Sequence, residues 1–149
     1  MKSLVICTSI HHQNTSRIAS AIAEVLQAQI NKPNEVHNED LSSYDIIGFG
    51  SGIYRWKVHK ALLDFADNLP NMQQKSVFIF STSGAPDGSK YHKELKDRLT
   101  KKNCKIVGEF NCRGWDTFGP LKIIGGLNKN KPNKDDIEKA KRFAQSLKI

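Results

Sequence analysis

The chain has 149 residues, a hydrophobic content of 38% and a formal net charge of +8, which predicts one domain over residues 1–149 with a basic surface. No apolar run approaches the roughly 18 residues of a membrane-spanning helix and no signal peptide is recognisable, so we expect a cytoplasmic protein without a membrane span. Three cysteines without a C-x-x-C pair indicate neither a disulfide framework nor a zinc site.

Strand-like and helix-like segments alternate along the first half of the chain. Apolar residues recur at helical spacing from Ile18 through Ile22 to Leu26, whereas the run 45–51 is continuously apolar, as in a strand that is buried on both faces. The predicted elements are, in chain order, a strand over 3–9, a helix that begins at Thr15 and is ended by Pro33-Asn34, a weak edge strand over 35–38, a strand over 45–51 and a helix over 58–68.

The second half continues the alternation and adds one long irregular stretch. Its predicted elements are a strand over 76–82, a basic helix over 90–102, a strand over 105–112, an irregular segment over 113–133 and a closing helix over 135–147. This order predicts an α/β fold in three layers, in which helices cover both faces of a doubly wound, five-stranded parallel sheet. The strand order 2-1-3-4-5, which is flavodoxin-like, places a switch point between strands 1 and 3.

Three segments rich in glycine and small hydroxyl residues each follow a predicted strand. We name them the first loop (residues 9–16), the second loop (residues 50–56) and the third loop (residues 81–87). Ligands of open α/β sheets bind at the carboxyl ends of the strands, so we expect the three loops to form one site.

The first loop leads into a predicted helix start, where backbone N–H groups and the helix dipole attract anions. Ser9, Asn14, Thr15 and Ser16 add side-chain donors for phosphate oxygens. The G-x-x-x-x-G-K-[ST] and G-x-G-x-x-G patterns are absent, so a monophosphate is expected rather than a nucleoside triphosphate or a dinucleotide. Taken alone, such a segment is more often an ordinary capped helix start.

The second loop places Tyr54 and Trp56 beside small residues, which suits a planar ring bound by stacking. The third loop offers hydroxyls and backbone N–H groups around Gly84, and Trp115 in the long irregular segment adds another possible wall. Packing beneath a loop is the alternative for each of these aromatic residues.

No group of catalytic or metal-binding residues stands out. His11 and His12 have no third metal ligand near them in the sequence, and no nucleophile and base are paired by a known motif. We therefore expect neither a catalytic residue nor a metal site.

Together the loops resemble those of the flavodoxin family of FMN proteins, in its short form without an extra loop in the last strand. Ser9 and Asn14-Thr15 resemble the Ser/Thr-x-T-G-N-T phosphate loop of the family. The segment 49–54 resembles the loop at the inner face of the flavin, and 81–84 resembles the loop on the other side. The resemblance extends from residue 1 to about residue 148.

The resemblance implies an FMN-binding electron-transfer protein. The net charge of +8 favours an acidic redox-partner protein, and without a nucleic-acid-binding motif we expect no specific nucleic acid. A monomer or weak dimer is expected. The resemblance also implies phosphate contacts from the first loop, stacking by Tyr54 or Trp56, and a third loop that lines the opposite side of the flavin. The cofactor-binding residues expected on this basis are Ser9, His11, Gln13, Asn14, Thr15, Ser16, Ser51, Gly52, Ile53, Tyr54, Arg55, Trp56, Ser83, Gly84, Asp87 and Trp115.

The chain departs from the family pattern in two respects. His11-His12-Gln13 replaces the usual Thr-Gly, and the whole chain is basic where family members are typically acidic. Arg55 stands where many members have glycine, beside flavin N5, and its charge favours a reduced, anionic flavin. We therefore expect a less negative reduction potential than the resemblance implies.

Three other functions are alternatives to electron transfer. An FMN-dependent oxidoreductase of the same superfamily, acting on a quinone or a porphyrinogen-like substrate, remains open. A phosphorylated receiver needs acidic residues where Thr8-Ser9 and Gly50-Ser51 stand, which excludes it. A nucleic-acid module would use the positive charge, but no zinc-finger, RNP or basic-zipper pattern accompanies it.

Overall fold

The computed structural model describes residues 1–8, 14–85, 87–114 and 130–148. The strands within these ranges are β1 (Ser3–Cys7), β2 (Gln29–Asn31), β3 (Ile46–Tyr54), β4 (Lys57–Val58), β5 (Ser76–Ser83) and β6 (Lys105–Arg113). The α-helices are α1 (Asn14–Leu26), α2 (Lys60–Asp67), α3 (Lys93–Lys101) and α4 (Lys134–Ser146). Short 3-10 helices span Pro33–Glu35, Asn38–Ser43 and Gly88–His92.

Five of these strands form a parallel sheet in the order β2-β1-β3-β5-β6, and β4 pairs with β3 as an antiparallel hairpin. Counted without β4, this is the predicted order 2-1-3-4-5, so the predicted topology is confirmed. Cys7 is paired with Gly50, Gly50 with Phe80, and Phe80 with Phe110, so the carboxyl ends of β1, β3, β5 and β6 meet at one edge.

Helices cover both faces of the sheet. On one face α2 and α3 bury Leu62, Leu95 and Leu99 against β3 and β5. On the other face α1 and α4 bury Ile18, Ile22, Ala140 and Ala144. The sheet is thus the middle of three layers, as predicted, because its central strands present apolar residues on both sides. None of the described helices is long and apolar enough to cross a membrane.

The predicted second strand was wrong in position. The strand beside β1 is Gln29–Asn31, and the segment expected to be a strand at 35–38 joins two 3-10 helices, Pro33–Glu35 and Asn38–Ser43. The first helix ends at Leu26, where Gln27 takes a positive φ of 53° and the Ala28 N–H is bonded to the Ala23 carbonyl. Ile30, which continued the helical spacing, therefore lies on an edge strand.

The second and third loops also begin later than expected. Residues 50–54 extend β3 and residues 81–83 extend β5. Small residues fit there because neighbouring strands approach closely, so composition alone did not separate strand end from loop.

Candidate functional site

The candidate site lies at the edge where β1, β3, β5 and β6 end. The Thr8 N–H, just after β1, is bonded to the Gly50 carbonyl at 2.9 Å, and the Gly114 N–H, just after β6, is bonded to the Ser83 carbonyl at 2.9 Å. These bonds join the end of β1 to β3 and the end of β6 to β5, and the pairing of Gly52 with Thr82 joins β3 to β5. The structure therefore brings the described parts of the three predicted loops to one edge of the sheet.

Helix α1 starts at this edge and is tied to β5. Thr15 Oγ1 and Thr82 Oγ1 are 2.8 Å apart, and both side chains are buried. On the other side Asn14 packs so closely on Gly114 that a Cβ there would contact its amide. The first turn of α1 contains no acidic residue, so the positive end of its dipole is available to an anion.

A buried hydroxyl at the end of β1 supports a ligand at this edge. Thr8 Oγ1 is buried and has no hydrogen-bond partner among the described residues. Buried polar atoms in native proteins are nearly always bonded, so an orphaned one requires an explanation. Thr8 directly precedes the first loop, and a phosphate oxygen is the kind of acceptor that its hydroxyl lacks.

The second loop forms the β3–β4 hairpin, whose tip is strained. Arg55 and Trp56 both have positive φ, at 49° and 65°, as both central residues of a type I′ turn require. Residues other than glycine, asparagine and aspartate rarely adopt this conformation. The turn directs Trp56 into solvent, where 71% of it is exposed, and Tyr54 packs edge-on against His59 with 5.7 Å between ring centroids.

Other predicted residues of the second loop have structural roles. Ser51 is buried: its hydroxyl donates to the Gly52 carbonyl at 2.6 Å and accepts from the His59 N–H at 2.9 Å. It thereby ties β3 to the start of α2. Tyr54 folds over Gly52, where an added Cβ would contact the phenol oxygen, and the neighbouring Ile53 packs against the core on the α2 side.

Hydrogen bonds hold the two ends of the third loop. Ser83 Oγ donates to the Ala85 carbonyl at 2.9 Å, and the Gly88 N–H is bonded to Asn111 Oδ1 at 3.0 Å. Gly84, between these anchors, is half-buried, and Asp87 is exposed and bonded to the Ser89 hydroxyl at 2.8 Å. The part of this loop that the structure describes thus projects from a fixed base at the candidate site.

Sequence patterns missed a polar cluster beneath the third loop. His92 Nε2 lies 2.6 Å from Ser81 Oγ, His92 Nδ1 lies 3.0 Å from Glu109 Oε1, and Asn111 Nδ2 lies 2.8 Å from Ser81 Oγ. The order serine, histidine, carboxylate is that of a hydrolase triad. However, Ser81 is fully buried inside β5, so its hydroxyl is not accessible to a substrate. No sequence motif connects these residues, since they come from three separate elements.

The site has no reactive thiol in the described part of the chain. Cys112, near the end of β6, is buried, and burial together with the charge of Asp136 raises its pKa to about 12. The thiol therefore stays protonated at neutral pH. No group of histidine, cysteine and acidic residues able to hold a metal occurs among the described residues.

Four of the predicted ligand residues, Ser9, His11, Gln13 and Trp115, lie outside the described residues. The described ones belong to three segments: Asn14, Thr15 and Ser16 start α1, residues 51–56 form the hairpin, and Ser83, Gly84 and Asp87 lie in the third loop. The α1 start, the orphaned Thr8 hydroxyl and the exposed Trp56 fit a flat ligand that carries a phosphate.

Comparison with known proteins agrees with this architecture. Residues 5–114 match the family described as "Flavodoxin domain", and the chain belongs to this family. Membership indicates a flavin-binding protein.

Relatives of the chain differ in how much is known of them. An uncharacterized protein of Methanocaldococcus jannaschii is 50% identical over 99% of this chain and 98% of its own length. The flavodoxin-like domain-containing protein BilS of Clostridioides difficile is 30% identical over 76% of this chain and 66% of its own length. The structure of oxidised Flavodoxin 2 from Bacillus cereus superposes with a TM-score of 0.74 at 22% identity, over 98% of this chain and 97% of that one. This last likeness shows the fold.

Proposed function

We propose that this protein binds FMN at the carboxyl edge of the sheet and carries electrons to or from a partner protein. The observation that carries the proposal is the convergence of three chain segments at that edge. The Thr15–Thr82 contact and the Thr8–Gly50 and Ser83–Gly114 bonds hold the segments together. FMN, when bound, supplies the redox chemistry, while the protein sets its orientation, potential and access.

The phosphate would lie at the start of α1. Thr8 Oγ1 and the amino end of the α1 dipole are proposed to contact it, with Ser9, His11, Gln13, Asn14 and Ser16 as further ligands. The Thr15 hydroxyl is hydrogen-bonded to that of Thr82, so the proposed role of Thr15 is to hold the start of α1 in place.

The flavin ring would lie between the hairpin and the third loop. Tyr54 or Trp56 would stack on one face of the ring, with Ser51, Gly52, Ile53 and Arg55 forming that side of the site. Ser83, Gly84 and Asp87 would line the other side, with Trp115 as a further wall. Stacking on an aromatic face contributes on the order of 1 kcal/mol beyond the area that it buries.

An acidic redox partner would dock on the rim of this site. Arg55, Trp56 and Lys57 form the tip and return strand of the hairpin, and Lys90 follows the third loop. All four are exposed. An exposed aromatic ring among cations suits a transient interface with an acidic surface, since charge complementarity raises the association rate. A cytoplasmic monomer or weak dimer is part of this proposal.

The second candidate is an FMN-dependent oxidoreductase acting on a quinone or a porphyrinogen-like substrate. The observation that favours it is Trp56, which offers an exposed ring beside cations and would also accept a flat anionic substrate. Steady-state turnover of NAD(P)H or reduced flavin with a quinone distinguishes an enzyme from a carrier.

The orphaned hydroxyl gives a direct test of FMN binding. Thr8→Val removes one donor at nearly constant shape, so we expect FMN to bind about tenfold more weakly, since a hydrogen bond to a charged group contributes roughly 1.5–3 kcal/mol. Fluorescence titration of the flavin measures the dissociation constant.

Ser3→Ala is the matched control for this test. Ser3 Oγ is likewise buried without a partner among the described residues, but it lies at the opposite end of β1, so FMN affinity should not change. Equal affinity of Thr8→Val and Ser3→Ala would place the phosphate elsewhere.

A further inference from the structure

With His92 neutral, the hydrogen bonds of the polar cluster beneath the third loop run in one direction. The Asn111 amide donates to Ser81 Oγ at 2.8 Å, and the Ser81 hydroxyl donates its own proton to His92 Nε2, 2.6 Å away. His92 Nε2 is then an acceptor, and its proton is on Nδ1, which donates to Glu109 Oε1 at 3.0 Å. This arrangement requires a neutral imidazole.

The same cluster holds both ends of the third loop. Asn111 Oδ1 accepts from the Gly88 N–H at 3.0 Å, and Asn111 Nδ2 lies 3.3 Å from Ser83 Oγ. Gly88 lies so close to Ser83 and Asn111 that an added Cβ would overlap both side chains. Asn111 Nδ2 also lies 3.3 Å from the Ser81 carbonyl oxygen. The Ser81 hydroxyl, which His92 contacts, is thus one of the groups that orient the Asn111 amide.

We propose that His92 is a positioning residue for the flavin site: the neutral imidazole holds Asn111, and through it the third loop, in the shape that receives the ring. A protonated His92 donates from Nε2 to Ser81 Oγ, which already accepts from Asn111. The Ser81 hydroxyl proton then loses its acceptor inside the sheet, and the cluster must rearrange. The flavin in this inference rests on the proposed function. The coupling between His92 and the third loop does not depend on it.

The surroundings of His92 keep it neutral near pH 7. It is fully buried, and burial lowers its pKa below the ordinary value of 6.5, opposed by the bond and charge of Glu109 and assisted by the charge of Lys96. Glu109 lies on β6 and Lys96 on α3. Strand β5 presents no ionisable residue, and the charged residue of β4 is Lys57, which is exposed.

Amide hydrogen exchange at Gly88, followed by NMR in the flavin-free protein from pH 8 to pH 5, tests the coupling without any cofactor. We expect the protection of Gly88 to fall by roughly fivefold or more as His92 is protonated, the lower end of typical coupling between linked sites. In His92→Gln the substituted side chain does not titrate, so the protection of the Gly88 N–H should be constant over this pH range. His37→Gln, an exposed histidine remote from the cluster, should retain the wild-type profile.

Glu109→Gln keeps the inference testable if His92→Gln does not fold. Glu109 is partly exposed and raises the pKa of His92, so its removal should move the midpoint of the Gly88 profile to lower pH. A midpoint that stays in place, or a His92→Gln profile parallel to that of the wild type, would overturn the inference.

FMN titration over the same pH range separates the two proposals. If FMN binds, its affinity should follow Gly88 protection in the wild type and lose that dependence in His92→Gln. An FMN affinity that does not change with the protection of Gly88 would overturn the positioning role of His92. Absence of FMN binding at every pH would refute the proposed cofactor, while the Gly88 profile would still decide the coupling.

Discussion

At the scale of single residues, two glycines of β3 make room for aromatic rings of β5. A Cβ at Gly48 or Gly50 would overlap the rings of Phe78 and Phe80, which are fully buried on the α1 side of the sheet. The glycines thus let the central strands carry large side chains without pushing α1 away from the switch point between β1 and β3. The position of the helix start, and with it the candidate phosphate site, depends on this packing.

Gly50→Ala should therefore lower the free energy of unfolding by about 1–3 kcal/mol, the usual cost of overpacking. Urea denaturation followed by circular dichroism measures it. Because the clash is with one ring, the double variant Gly50→Ala/Phe80→Leu should lose less than the sum of its two single variants. Strict additivity would show that the alanine is accommodated without contact to Phe80.

Some contacts between single residues of the candidate site could not be predicted from the sequence. Small residues after apolar runs predicted the first and third loops, because strand ends at a binding edge need close backbone approach. The Ser81, His92 and Glu109 cluster gave no such signal, since its members are joined only by the pairing of β5 with β6 and the fold of the 3-10 helix. Thr82 lies in both the predicted strand over 76–82 and the third loop, and its contact with Thr15 follows only from the position of α1 on the sheet.

At the scale of elements, the β3–β4 hairpin is the part of the site that departs most from local preference. Type I′ turns favour Asn-Gly and similar pairs, and here Arg55-Trp56 occupies both positions with positive φ. This is why β4 was not predicted: the sequence contains no turn signal, and the return strand is two residues long. A strained turn that exposes a tryptophan is typical of a functional segment.

The charge of Arg55 at this turn should raise the reduction potential of bound FMN. Arg55→Gln removes the charge but keeps a Cβ, so we expect the potential to become more negative by roughly 20–40 mV, the equivalent of 0.5–1 kcal/mol for an exposed charge. Potentiometric titration with a reference dye measures it.

Arg55→Lys is the matched control because it retains the charge, and its potential should stay within a few millivolts of the wild type on the same physical argument. A shift of equal size in both variants would assign the effect to the shape of the turn instead of its charge.

The order of elements was predictable because long apolar runs and helical spacing are strong signals. Besides the hairpin strand β4, the exception was β2, a three-residue edge strand with two exposed residues. Its pairing with β1 is decided by the end of α1 at Leu26, and Gln27 gives no glycine signal for that left-handed position.

At the scale of the whole molecule, the net charge of +8 leaves basic side chains in excess of the acidic ones that could pair with them. Lys60–Asp64, Lys93–Asp97 and Lys139–Asp135 are exposed pairs one helical turn apart, each of little consequence for stability. The cations near the candidate site are the ones that the proposed function would use, because an acidic partner would dock against them.

Stability should also depend on pH through His92. Its pKa is lowered in the folded protein by burial, so between that value and 6.5 the unfolded chain binds more protons. Stability is therefore complete above about pH 6.5 and falls as the pH drops below it, by at most about 1.4 kcal/mol per pH unit for one group. Urea titrations at pH 5 to 8 measure this slope. It should be smaller in His92→Gln than in His37→Gln, and equal slopes would contradict the assignment.

The central claim is that the edge formed by β1, β3, β5 and β6 binds FMN. The most direct test is the visible absorption spectrum of the purified protein after addition of FMN and removal of the excess by gel filtration. The account predicts one flavin retained per chain, with absorption bands displaced from those of free FMN. A colourless protein after gel filtration, still folded by circular dichroism, would contradict it.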